Sequence, residues 1–98
     1  MDIELDFQSI AGDFKLYQNT PNPFREYTTI GFDITQAGTA QLSIFDVSGA
    51  LVKSVRGNFE SGYNEVQISK TELSGNGIYF YHLETANHVA KKRMILID

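Results

Sequence analysis

Apolar and polar residues alternate along most of the chain, and this period of two is typical of strands with one buried face. In the clearest case Ile30, Phe32 and Ile34 share one side, and the residues between them are polar or glycine. Turn-forming Gly, Pro, Asn and Ser separate the alternating segments. The pattern predicts seven strands, over residues 14–18, 28–34, 40–46, 51–56, 63–69, 78–85 and 88–97.

The spacing of these segments, about ten residues, is typical of two antiparallel sheets packed into a sandwich. No segment has a helical stripe, and only Ser69 to Leu73 resembles a helical turn. The sequence therefore predicts an all-β fold with one core. The residues expected inside it are Ile30, Phe32, Leu42, Ile44, Val66, Ile68 and Tyr79.

The beginning of the chain has a different character. Ile3, Leu5 and Phe7 alternate with acids, a pattern that favours an edge strand, and Ser9 to Gly12 is typical of a linker. We expect residues 1–12 to be a linker or the remnant of an upstream segment, with the folded domain at 13–98. The acids at the start do not fit a signal peptide, so the chain is either cytoplasmic or a piece whose signal lay upstream.

Composition narrows the function classes. The chain is 42% hydrophobic and 20% charged, which is ordinary for a globular protein, and it contains no Cys. Its net charge of −4 argues against nucleic acid as a partner. No apolar run approaches the roughly 18 residues of a membrane-spanning segment.

Catalytic chemistry has no candidate residues in the sequence. His82 and His88 lack the spacing of a metal site or a catalytic triad, and we expect them on strand faces or in the last turn. No nucleophile elbow, phosphate-binding glycine loop or paired-carboxylate motif is present. The chain is therefore expected to be no enzyme and to bind no cofactor and no metal.

The most distinctive segment joins the first two predicted strands. Pro21 and Pro23 restrict φ and favour extended conformations at the residues before them, which predicts a stiff, polyproline-like connector. Asn19 and Asn22 are expected to hydrogen-bond nearby backbone. Phe24 is expected to close one end of the sandwich.

Two further motifs have a structural interpretation. In the turn that contains Asp46 and Gly49, the carboxylate is expected to accept backbone N–H groups and the glycine to adopt positive φ. The strand that follows Gly77 is apolar on both faces at its start, which favours a central strand with Tyr79 in the core. The alternative for this strand is a platform of exposed tyrosines that stacks against sugars.

A cluster of cations, Lys91, Lys92 and Arg93, lies in the last predicted strand. The simpler interpretation is a solvated strand face, and the alternative is a recognition surface. The apolar residues Met94 to Ile97 follow the cluster and are expected to hold the strand in the sheet.

Taken in order, these motifs resemble a known family. They are Tyr17-Gln18-Asn19, Pro21-Asn22-Pro23-Phe24, Thr28-Thr29-Ile30, Ile44-Phe45-Asp46-Val47-Ser48-Gly49, Gly62-Tyr63-Asn64-Glu65-Val66, Gly77-Ile78-Tyr79-Phe80-Tyr81 and Lys91-Lys92-Arg93-Met94. From about Phe14 to its end the chain resembles the type IX (Por) secretion C-terminal sorting domain of secreted Bacteroidetes proteins. The resemblance implies a seven-stranded antiparallel immunoglobulin-like β-sandwich.

The resemblance also implies a function. Such a domain directs an upstream cargo through the type IX outer-membrane translocon, passes through the periplasm, and is then removed by a sortase-like surface peptidase. The cargo remains at the outer membrane and cell surface or is released. The candidates for recognition are then the motif residues Asn19, Pro21, Asn22, Pro23, Phe24, Asp46, Gly49, Gly77, Tyr79, Lys91, Lys92 and Arg93. A non-catalytic carbohydrate-binding or adhesion sandwich remains the alternative.

Overall fold

The computed structural model describes residues 13–98, which form seven strands and one short 3-10 helix at Lys70–Glu72. The strands are β1 (Lys15–Leu16), β2 (Tyr27–Ile34), β3 (Gly38–Asp46), β4 (Leu51–Phe59), β5 (Gly62–Ser69), β6 (Gly77–Glu84) and β7 (Val89–Leu96). All seven predicted strands are confirmed, and the helical turn lies within Ser69 to Leu73 as expected. The predictions for residues 1–12 lie outside the described part of the chain.

The strands pair into two antiparallel sheets. One sheet has three strands in the order β1-β2-β5, and the other has four in the order β4-β3-β6-β7. The chain crosses between the sheets after β2, β4 and β5. This arrangement confirms the predicted immunoglobulin-like sandwich, and it leaves β7 at an edge of the four-stranded sheet.

The inward-facing side chains of both sheets form the core, as the alternation predicts. Six of the seven residues expected inside are buried, whereas Val66 is half-buried and packs against the core. The buried apolar residues are Leu16, Phe24, Ile30, Phe32, Ile34, Ala40, Leu42, Ile44, Ile68, Tyr79, Tyr81, Leu83, Met94 and Leu96.

A tyrosine corner marks the approach to β6. The hydroxyl of Tyr79 accepts a hydrogen bond from the Ser74 N–H at 3.0 Å and donates one to the carbonyl of Gly75. A tyrosine that bonds the backbone a few residues upstream is a hallmark of immunoglobulin-like sandwiches. The ring of Tyr79 therefore packs in the core, and its hydroxyl holds the preceding loop in place.

The connector between β1 and β2 differs from the prediction. It is bent from Pro21 to Pro23 instead of extended, and the Thr20–Pro21 and Asn22–Pro23 peptide bonds are cis. The expected polyproline-like conformation is therefore wrong. The physical reason is that the connector is fixed to both sheets at once. Thr20 forms a bridge to Thr29 on β2, and Phe24 forms a bridge to Leu96 on β7.

Candidate functional site

The connector runs along the outer edge of β7, and its main chain pairs with that strand. The Phe24 N–H donates to the carbonyl of Ile95 at 3.0 Å, and the Ile97 N–H donates to the carbonyl of Phe24 at 2.9 Å. These two bonds form a parallel bridge between Phe24 and Leu96. The segment with the two prolines thus covers the last third of an edge strand.

Two side chains of the connector extend this contact. Asn22 Oδ1 accepts the N–H of Ile95 at 2.9 Å, and Gln18 Nε2 donates to the carbonyl of Arg93 at 2.7 Å. Asn22 therefore binds backbone that is 73 residues away in sequence, and not the nearby backbone that was expected. Between Arg93 and Ile97 the outer edge of β7 is therefore occupied by the connector.

Phe24 anchors the connector in the core. Its side chain is 1% exposed, which confirms that it closes one end of the sandwich. Pro21, Asn22 and Pro23 are exposed, so the segment places one buried aromatic after three solvent-facing residues. Burying a phenylalanine contributes about 1.5–3 kcal/mol through removal of apolar surface from water.

A buried polar cluster supports the connector from inside. Asn19 is 2% exposed, and its Nδ2 donates to Thr28 Oγ1 at 3.0 Å and to the Pro21 carbonyl at 3.1 Å. The Thr28 hydroxyl donates to the same carbonyl at 2.8 Å. The expected bond from Asn19 to nearby backbone is confirmed, and the cluster fixes the bend because a lost bond would leave a buried polar atom without a partner.

Tyr81 joins this cluster to β6. Its hydroxyl accepts the N–H of Asn19 at 2.9 Å and donates to the carbonyl of Tyr17 at 2.8 Å. Burial raises the pKa of Tyr81 to about 12. The phenol therefore stays protonated and can donate throughout the physiological pH range.

Sequence reasoning did not single out Gln18, Thr28 or Tyr81 as site residues, although all three support the connector. A signal was available for two of them. Thr28 and Tyr81 occupy inward-facing positions of their strands, where a polar group requires a hydrogen-bonding partner. Gln18 lies outside every strand and gave no such signal.

The three cations lie along β7 just before its covered part. Lys91 and Arg93 project from the outer face of the four-stranded sheet, and Lys92 lies on the opposite side of the strand. All three are exposed, which confirms that cations of this strand project to solvent. Met94 and Leu96, which follow them, are buried as the apolar end of the strand predicts.

The two histidines occupy the places expected from the sequence. His82 lies on β6 opposite Lys91, and its ring contacts the ring of Phe45 with centroids 4.7 Å apart. His88 lies in the turn before β7 and stacks on Phe14 at 4.7 Å. Neither histidine belongs to a group of metal-binding side chains within residues 13–98.

The pKa of His82 is lowered by burial and, to a smaller extent, by the charge of Lys91, whereas Glu84 opposes the shift. We expect Lys91→Gln to raise this pKa, which an NMR pH titration of the imidazole would measure. Because the unfolded chain protonates His82 near pH 6.5 and the folded chain only at lower pH, the contribution of His82 to stability decreases as pH falls below about 6.5. An unchanged pKa in the variant would contradict the contact.

The turn between β3 and β4 has the predicted structure. Asp46 Oδ1 accepts the N–H groups of Ser48 at 2.9 Å and Ala50 at 3.0 Å, and Gly49 has φ of +93°. The hydrogen bond from the Ser48 hydroxyl is the main reason why the pKa of Asp46 lies below its usual value. Asp46 and Gly49 therefore have a structural role in a turn that lies at the same end of the sheet as Met94 and is separated from β7 by β6.

The aromatic residues of β6 do not form an exposed tyrosine platform. Tyr79 and Tyr81 both face the core, which confirms the packing interpretation, and Ile78 and Phe80 face outward. Gly77, with φ of +140°, begins the strand after the loop. Elsewhere Tyr17 and Tyr63 lie 5.8 Å apart, but their planes are inclined by 65° and do not form a flat surface.

The structure thus brings part of the predicted site together. Asn19, Asn22 and Phe24 meet Tyr81 and the end of β7, and the run of cations ends at Arg93, whose carbonyl the connector binds. Asp46 pairs with Tyr79 on β6, and Tyr79 pairs in turn with Met94 on β7. Within residues 13–98, no helix is long and apolar enough to cross a membrane.

The chain matches a protein-family model over most of its length. The model of the secretion system C-terminal sorting domain matches residues 17–97. The chain belongs to this family. The match begins at the connector and ends just after β7, so it includes both parts of the site described above. The sorting domain of this type IX secretion family is non-catalytic.

Solved structures share the fold of this sorting domain. Dimeric latent PorU from Porphyromonas gingivalis is 22% identical with a TM-score of 0.65, over 88% of this chain and 10% of that one. PorZ, an essential bacterial surface component of the type IX secretion system of the same organism, is 23% identical with a TM-score of 0.57, over 99% and 12%. The sorting domain therefore spans about a tenth of these proteins.

The fold also occurs in a different setting. A β-glucosidase from Erythrobacter marinus is 11% identical with a TM-score of 0.54, over 87% of this chain and 15% of that one. The comparison with curated proteins found no match. Because identities this low establish the fold alone, the family match and not the fold carries the functional argument.

Proposed function

We propose that this domain is the sorting signal of a cargo that precedes it in the same chain, and that it directs this cargo through the type IX outer-membrane translocon. The family match over residues 17–97 is the observation that carries the proposal. The route leads through the periplasm, where the domain folds, to the outer membrane and cell surface or to release. The upstream cargo, the translocon and a surface peptidase are then its partners.

The translocon recognises the end of the domain that contains β7. Lys91, Lys92 and Arg93 are exposed there next to the connector, and they concentrate positive charge on a chain whose net charge is −4. Complementary charge steers association and favours correct partners over wrong ones. The motif residues Asn19, Pro21, Asn22, Pro23 and Phe24 contribute by holding this end of the sandwich in one shape.

Removal by a sortase-like peptidase follows export. A peptidase requires extended backbone that is not paired in a sheet. From Lys15 onward the chain enters β1 and then the connector, which is hydrogen-bonded to β2 and β7. The cut therefore belongs before Phe14, and it separates the cargo from the sandwich.

We expect the complete chain, fused behind a reporter with a general signal peptide, to export the reporter from a type IX-competent host. Replacing Lys91, Lys92 and Arg93 together by Gln is expected to lower export at least fivefold while the domain stays folded. Substitution of exposed charges alters stability by less than about 0.5 kcal/mol each. Reporter in the medium and on cells, together with thermal unfolding of the purified variant, measures both quantities.

A matched variant separates the position of the charges from their number. Replacing Lys53, Arg56 and Lys70 by Gln changes net charge by the same amount on elements away from β7. This variant is expected to be exported like the unmodified domain. If the unmodified domain exports no reporter, the proposed function is wrong; if both triple variants export equally, β7 is not the recognised end.

A further inference from the structure

The outer edge of β7 is only partly covered. In an antiparallel strand both backbone polar groups of a residue point to the same side, and the side alternates along the chain. The carbonyl of Arg93 and the backbone of Ile95 point outward and bond to the connector. By the same alternation Val89 and Lys91 also point outward, and no residue among 13–98 forms a hydrogen bond with their backbone groups.

We call these groups the open edge: the outward-facing N–H and carbonyl groups of Val89 and Lys91, and the N–H of Arg93. They can form main-chain hydrogen bonds with a further strand. Beyond the open edge β7 already accepts a bridge from Phe24, so its geometry allows a neighbour on this side. Exposed strand edges are the surfaces to which an extended peptide adds as a further strand. The connector limits such a strand to the stretch between Val89 and Arg93. β1 of the facing sheet also contacts β7, but the two strands do not pair.

The side chains around the open edge define which strand fits. Lys91 and Arg93 lie on the outer face, Lys92 lies on the other, and Val89 is 59% exposed. The salt bridges formed within residues 13–98 join Lys53 to Glu72 and Lys70 to Glu26, and none involves the three cations. Positive charge on both sides of one edge favours an incoming strand with acidic side chains on both of its faces.

The same charges disfavour a second copy of this domain at the edge. Pairing two open edges would place the cations of one β7 opposite those of the other, and like charges directly opposite are destabilising. Lysines on an edge strand are also a common protection against non-specific pairing. The edge therefore excludes copies of itself and admits an acidic partner.

We propose that a protein component of the translocon adds an acidic, extended strand to the open edge of β7. Its main chain bonds the N–H and carbonyl of Lys91, and its carboxylates pair with Lys91, Lys92 and Arg93. This inference rests on the proposed sorting function and specifies how the recognised end is bound. Strand addition requires the backbone N–H of Lys91, whereas binding by charge alone requires only its side chain.

The test compares Lys91→Pro with Lys91→Gln in the reporter fusion. Both variants lose the charge, but only proline lacks the outward N–H, and proline is tolerated on an edge strand whose N–H faces solvent. We expect export to fall at least tenfold for Lys91→Pro and about threefold or less for Lys91→Gln, with both proteins folded by circular dichroism. Equal losses would show that only charge is recognised, as by an anionic lipid or polysaccharide, and would overturn strand addition.

A second pair keeps the test decisive if Lys91→Pro fails to fold. Val89→Pro removes an outward N–H at the first residue of the strand without changing charge, and Val89→Ala is its control. Lower export for Val89→Pro than for Val89→Ala supports the proposal, and equal export overturns it. If the unmodified fusion is exported but neither proline has an effect, strand addition is wrong and the sorting function stands. If the unmodified fusion is not exported, both proposals are wrong.

Discussion

Deleting residues 94–98 is expected to abolish cooperative folding of the domain. The deletion removes Met94 and Leu96, both buried, and the half-buried Ile95 and Ile97. Burial of the first two alone contributes about 3–6 kcal/mol. A domain of this size has a total stability of only about 5–15 kcal/mol, and the deletion also exposes Phe24, which packs beside the lost strand.

Thermal unfolding followed by circular dichroism tests this expectation. The unmodified chain should show a cooperative transition, and the truncated chain should show none. Deletion of Asp98 alone, an exposed residue, is the matched control and should leave the transition in place. A truncated chain that melts within a few degrees of the unmodified one would contradict the role assigned to the end of β7.

This expectation affects how export experiments are interpreted. A terminal truncation that stops export removes the fold together with any recognition element, so it cannot separate the two. Neutralising Lys91, Lys92 and Arg93 leaves Met94 and Leu96 in place and changes only exposed charge. The charge variants, rather than truncations, therefore test recognition.

The sequence predicted the core well because burial in a sandwich depends on a local rule, the alternation of side chains along a strand. Ile30 and Phe32 follow this rule and are buried. The end of β4 does not, since Gly57 and Asn58 are poor strand formers and the predicted strand stopped before them. They are strand residues because they pair with Ala40 and Thr39 on β3. Pairing across the sheet overrides local preference there.

At the candidate site, too, the conformation of the connector could not be predicted from local sequence preference. Two prolines and the residues beside them predict an extended segment, but the bend depends on partners far away in sequence. Asn19 bonds the hydroxyl of Tyr81, and Asn22 bonds the backbone of Ile95. The sequence alone could indicate that these residues matter, but not that they converge on the last strand. The position of the cations beside the connector was therefore not predictable from spacing.

Replacing Phe24 by Ala is expected to be the most costly single substitution in the connector. The side chain is 1% exposed, and truncating a buried phenylalanine to alanine costs about 3–5 kcal/mol, which includes the cavity left behind. The Phe24 backbone also bonds Ile95 and Ile97, so loosening the connector exposes the end of β7. Equilibrium unfolding in urea measures the cost, and amide exchange at Ile97 reports whether the strand end opens.

Tyr27→Ala is the matched control, because it removes an aromatic ring three residues later that is 56% exposed. It should cost less than about 0.5 kcal/mol, as exposed positions usually do. Phe24→Leu should recover most of the stability lost in Phe24→Ala, since leucine refills the cavity without an aromatic ring. If Phe24→Ala and Tyr27→Ala destabilise the domain equally, Phe24 does not anchor the connector. The last strand would then depend on its pairing with β6 alone.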